Sequence, residues 1–110
     1  GMGPVVSQVG HDGYMEVKAV KQTDVFRAAE QFARCEGILP APESSQAIKV
    51  AVDEALECKK TGEKKVILFG LTGTGYFDLT AYKSFNEGTM KDYIPTDDDL
   101  ARGFASIPKI

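Results

Sequence analysis

An α/β fold is the class this sequence predicts: a small parallel-sheet fragment with packed helices, in the order strand, helix, helix, strand, helix. Three observations predict it. Val66-Ile67-Leu68-Phe69 is an uninterrupted apolar run bounded by charges and a glycine, the pattern of a central strand covered on both faces. Tyr14 to Val20 alternates Glu16 and Lys18 with Met15, Val17 and Ala19, the period of a half-buried strand. Between these runs, two stretches repeat apolar residues at the spacing of one helical face.

Gly10 to Gly13 form a polar turn before the first strand. Thr23 or Asp24 caps the first helix, in which Val25, Phe26, Ala29, Phe32 and Ala33 share one face. The second helix runs from Ser45 to about Thr61, burying Ala47, Ile48, Ala51, Val52, Ala55 and Leu56, and Gly62 ends it in a left-handed conformation. After the Val66–Phe69 strand, Gly70 to Gly75 break the chain. Asp78 or Thr80 then caps a helix with Leu79, Tyr82 and Phe85, closed by Gly88. Thr96 with Asp99 reads as a capping box that opens a short helix to about Phe104, and Ile107 to Ile110 form a tail.

The stretch from Glu36 to Ile48 is richer in constraint than a connection between helices requires. Gly37 allows positive φ where the first helix stops, and Pro40 and Pro42 hold the chain near φ of about −65°. Ser44 or Ser45 is placed to cap the following helix. A stiff linker and a ligand loop both satisfy this pattern. Strand, glycine turn, helix is also the order in which open α/β sheets meet ligands, which puts Thr72 to Gly75 at such a position, although the glycine spacing is not the dinucleotide fingerprint.

Composition narrows the function classes. With 43% hydrophobic and 26% charged residues in 110, the chain is of ordinary single-domain make-up, and at a net charge of −3 it has no basic stripe for nucleic acid. No run approaches the roughly 20 apolar residues of a membrane span, so the expectation is a soluble, cytoplasmic protein. Cys35 and Cys58 read as reduced thiols on helices. His11 is the single histidine, which argues against a metal site and a nucleophilic triad and reads as a solvated loop residue. Glu36 and Glu43 are the carboxylates in unusual positions. The Asp97–Asp99 cluster is helix-start chemistry, since the ligand pattern of a calcium loop is missing.

Two motifs in sequence order, CEGILPAPESSQAI from Cys35 to Ile48 and KVILFGLTGTGYFDL from Lys65 to Leu79, resemble the C-terminal part of tryptophan synthase beta chains, with the closer match to the second branch of that family. The resemblance runs from about Met2 to about Tyr82. It marks residues 1–88 as a C-terminal domain of the family and residues 89–110 as an extension with a short helix. Gly1 before Met2 reads either as the remnant of an expression tag or as part of a similar stretch inside the family's chain.

The resemblance implies a piece of a fold type II pyridoxal-phosphate enzyme, whose intact members join L-serine and indole to L-tryptophan by β-replacement. It implies that Thr72 stands where a serine hydrogen-bonds the pyridine nitrogen of the cofactor. Glu36 stands where a glutamate flanks the ring, Gly73 and Gly75 match glycines that admit close backbone approach, and Glu43 matches a second acid. Gly70 replaces the usual Asn, Thr74 a His or Arg, and Gln46 a common His. The family's Schiff-base lysine motif and glycine-rich phosphate loop have no counterpart in these residues. The implied reading is a fragment inactive alone, assembling as a homo-oligomer or with the missing N-terminal part of the enzyme. The alternative is a free-standing, non-catalytic module for self-association or small-molecule binding.

Overall fold

The computed structural model describes residues 3–107. They form five α-helices: α1 (Pro4–His11), α2 (Gln22–Glu36), α3 (Pro42–Thr61), α4 (Leu79–Asn86) and α5 (Asp97–Ala105), with a 3-10 turn at Gly75–Asp78 before α4. No sheet forms among the described residues, and the expected parallel-sheet α/β class is corrected to all-α. The one β-type pairing among them is an isolated antiparallel bridge between Pro40 and Thr74. Gly1, Met2 and the end of the expected tail, from Pro108, lie outside the described residues.

Both expected strands fail for one reason: a strand exists only as part of a ladder, and neither run finds a partner. Val66 and Leu68 are 100% and 95% exposed, while Phe69 meets Phe32 of α2 edge-on at 6.1 Å. Ile67 is exposed as well, so Phe69 is the one residue of that run that is partly covered. Tyr14 to Val20 is held instead by Lys18, which donates to Glu54 of α3 at 2.9 Å, and by Val17 beside Gly10 of α1. α1 itself was not expected. Pro4 at its first position has a φ suited to a helix, but eight residues with Gly10 among them bury nothing.

The two long helices form where the periodicity puts them, but the expected inner face of the second is covered only in part: Ile48 is buried, while Ala55 and Leu56 are exposed. α2 ends at Gly37 and α3 at Gly62, both left-handed at φ 71° and 75°. Their starts differ from expectation. α3 begins at Pro42, whose missing N–H costs nothing in the first turn, and Ala41 precedes it without a side-chain cap. α2 begins at Gln22 after Lys21. Its first-turn donors are met from afar: the Asp92 carboxylate accepts both the backbone N–H and the hydroxyl of Thr23, each at 2.9 Å. Asp78 precedes α4 without a side-chain cap. The capping box at Thr96 and Asp99 is present as expected.

The core lies between α2, α3 and α4. Phe26 meets Tyr82 edge-on at 4.9 Å and stacks on Phe85 at 5.8 Å, with Leu39, Ala81 and Met90 packed around them. Ile48, Pro40 and Ser45 are fully buried beside it. The body is nonetheless open: its radius of gyration of 16.5 Å exceeds the roughly 13 Å of a compact domain of this length. No helix among the described residues is long and apolar enough to cross a membrane.

Bonds from Thr23 hold the Asp92 carboxyl below the usual carboxylate range. Such a group stabilises the fold above its unfolded pKa of about 3.8, and that contribution is lost as pH falls through the lower folded value. Asp92→Asn is therefore expected to lower the thermal midpoint at pH 7, with the gap to wild type narrowing below about pH 4. Circular dichroism melts across pH check this.

Candidate functional site

Past Gly37 the chain runs through Leu39, Pro40 and Ala41 into α3, and the Gly70–Gly75 loop is fastened along it. The Gly75 N–H donates to the Leu39 carbonyl at 2.9 Å, next to the Pro40 to Thr74 bridge. The Tyr82 hydroxyl, buried in the core, donates to the Pro40 carbonyl at 2.6 Å. Burial pushes that phenol's pKa up, which keeps it a donor. Ser44, in the first turn of α3, receives the Thr72 N–H at 3.1 Å and also donates to the Thr72 carbonyl.

The glycines are fixed by this approach. A Cβ on Gly75 would fall 2.5 Å from the Pro40 carbonyl oxygen and 2.9 Å from Leu39 Cγ. Gly73 adopts φ +75°, and a Cβ there would stand 3.2 Å from Ala41 Cβ. The close backbone approach expected at Gly73 and Gly75 is thus made to the protein's own Leu39–Ala41 segment.

Of the expected site residues, Thr72, Gly73 and Gly75 are brought together on one pinned loop, with the Thr72 side exposed. Glu36 is exposed at the last turn of α2; the fastenings fall on Leu39, Pro40, Ala41 and Ser44 rather than on it. Glu43 and Gln46 lie elsewhere, on a groove of about 720 Å3 floored by Val25 and Phe26 and edged by Asp92 and Tyr93. Ser45 does not cap α3 but donates to the Ala41 carbonyl at 2.8 Å. Sequence reasoning missed the roles of Ser44, Tyr82 and Asp92. Ser44 carried a signal, since a serine two positions after a first-turn proline is already inside the helix and free to bond elsewhere.

His11 is exposed beside Asp12, and Cys35 and Cys58 are free thiols. No group of His, Cys, Asp and Glu among the described residues is arranged to hold a metal ion.

Fold and site together define a helical segment that presents a hydroxyl-bearing glycine loop between bare apolar runs. No family model matches the chain. It is 58% identical over 92 residues to tryptophan synthase beta chain 2 of Aquifex aeolicus, covering 84% of this chain and 21% of that relative. It is 52% identical over 91 residues to tryptophan synthase beta chain 2 of Methanosarcina mazei, again 21% of the relative. With the tryptophan synthase beta chain of Thermococcus onnurineus it shares 45% over 103 residues, 94% of this chain and 23% of the relative. The chain belongs to the tryptophan synthase beta family as a partial segment, spanning about a fifth of the length of these curated relatives.

Gly75→Ala is expected to destabilise the fold by about 3 kcal/mol, because its Cβ meets main chain that cannot yield. Tyr82→Phe, which removes one buried hydrogen bond, should cost about 1 kcal/mol. Urea unfolding followed by circular dichroism measures both, and equal effects would show that the loop is not fastened as described.

Proposed function

We propose that this chain supplies the ring-facing wall of a pyridoxal-phosphate site in a tryptophan synthase beta-like enzyme and is inactive by itself. The observation that carries the reading is an exposed Thr72 on a loop whose backbone is fastened at Thr72 and Gly75. The residues fit the ring end of the cofactor: a neutral hydroxyl to meet the pyridine nitrogen, glycines on either side of Thr74, and Glu36 as the exposed acid of the other motif. They do not fit the phosphate end, because the loop offers no cation and Thr74 stands where the family has a basic residue. When bound, the cofactor supplies an electron sink for the bonds of an amino acid. Thr72 orients the ring, and as a neutral partner it leaves a weaker sink than a carboxylate would. Glu36 flanks the ring in this reading, and Gly73 and Gly75 keep the loop thin.

The lysine and the phosphate cradle would come from a second polypeptide corresponding to the rest of the enzyme, which in the intact family converts L-serine and indole to L-tryptophan. The surface supports such a partner. The chain exposes 8827 Å2, against roughly 5,900 Å2 for a compact monomer of its mass. Val66, Leu68, Tyr76 and Phe77 are among the bare apolar side chains, and they flank the loop in sequence. A second copy of the chain could cover the same face, which makes a homo-oligomer the resting form in this reading. The setting proposed is the cytoplasm.

Pyridoxine phosphate, which has the ring and phosphate but no aldehyde to react with surface lysines, tests the site. A saturable change in its ultraviolet band with the wild-type chain, weakened about tenfold in Thr72→Val, is the expected result. No change with wild type, or equal binding by the variant, would overturn the cofactor reading.

A further inference from the structure

The Thr72 hydroxyl is held from behind. Ser44 is 3% exposed, and its Oγ stands 3.1 Å from Thr72 N and 3.2 Å from Thr72 Oγ1, with the Thr72 carbonyl oxygen also in contact. One buried hydroxyl thus touches the donor, the acceptor and the side-chain oxygen of a single residue. Ser45, its neighbour, is committed to the Ala41 carbonyl and takes no part.

We infer that Ser44 is a positioning residue that fixes both the backbone and the side-chain rotamer of Thr72, and so sets where the Thr72 hydroxyl is presented to a ligand. A count of protons supports this. Ser44 has a single O–H and two lone pairs. The O–H goes to the Thr72 carbonyl and one lone pair takes the Thr72 N–H, which locks the backbone. The second lone pair faces Thr72 Oγ1 and receives its proton when nothing else competes. A ring nitrogen arriving from outside takes that proton by rotation of the hydroxyl alone; the oxygen does not move. The backbone lock needs no change, so ordering the loop is not charged to ligand binding. The position of Ser44 is itself rigid, since it lies in the first turn of α3 behind Pro42, between buried Ala41 and buried Ser45.

The inference deepens the cofactor reading above and rests on it only in its binding arm. The first measurement needs no ligand. In Ser44→Ala, three-bond NMR couplings of Thr72 should pass from one χ1 rotamer to an average, and its amide should exchange about tenfold faster. A single retained rotamer with unchanged protection overturns the proposal. Should Ser44→Ala lose its helical circular dichroism, Ser44→Cys, similar in shape and a weak donor, takes its place. The second measurement is pyridoxine phosphate affinity in a double-mutant cycle. Ser44→Ala should weaken binding about tenfold in the wild-type background and leave Thr72→Val unchanged, because it acts through the Thr72 hydroxyl. Equal weakening in both backgrounds would mean that Ser44 merely holds the loop, and would overturn the positioning role. If the wild-type chain does not bind pyridoxine phosphate, the cofactor reading falls and the rotamer measurement decides Ser44 by itself.

Discussion

The hydrogen bond from the Gly75 N–H to the Leu39 carbonyl joins two parts of the chain that would otherwise be independent. α2 and α3 pair through their own apolar faces, but the Gly70–Gly75 loop, the 3-10 turn and α4 follow a stretch with no secondary structure. Proline makes the join one-sided. Pro40 has no N–H, so at that point the segment between α2 and α3 offers carbonyls, and donors must come to it. Gly75 brings one and the Tyr82 hydroxyl brings the other. Because Tyr82 also stacks edge-on against Phe26, the polar join and the aromatic core form or fail together.

The sequence was most legible where a local rule decides the outcome. Gly37 and Gly62 end their helices in left-handed conformations, and Thr96 with Asp99 closes a capping box, because each needs only its neighbours. Helix starts were less legible. Thr23 carried the signature of a cap, yet it sits inside α2 and its donors are answered by Asp92, far along the chain. No window of local sequence contains that bond. The strands failed at a higher level: Val66–Phe69 and Tyr14–Val20 have strand composition, but composition is no substitute for a second strand to pair with. Within this chain both runs stay largely exposed, apart from the partly covered Val20 and Phe69 at their ends.

The site was legible as a set of positions and not as a set of bonds. Thr72, Gly73 and Gly75 were singled out, and they do share one loop held against the stretch that follows Glu36. What holds them could not be read. Ser44 looked like a cap because serine before a helix usually is one, and the proline that displaced the helix start by three residues turned it into a clamp. Gly75 looked like a turn residue and proves to be a packing residue, since its missing side chain is occupied space.

The exposed apolar runs and the exposed Thr72 are two aspects of one condition. On one side of Thr72 in sequence stand Val66 and Leu68, and on the other Tyr76 and Phe77, all largely bare to water. A hydrogen bond from Thr72 made in that setting competes with solvent and contributes little net free energy. Covering the same side chains would remove apolar surface from water and, in the same step, strip water from around the hydroxyl, so that the bond strengthens as the dielectric falls. Ser44 needs no such covering, since it is buried already. The chain therefore carries a hydroxyl whose direction is set in advance by its own packing, while the strength of any bond it makes depends on whatever comes to lie against Val66 to Phe77.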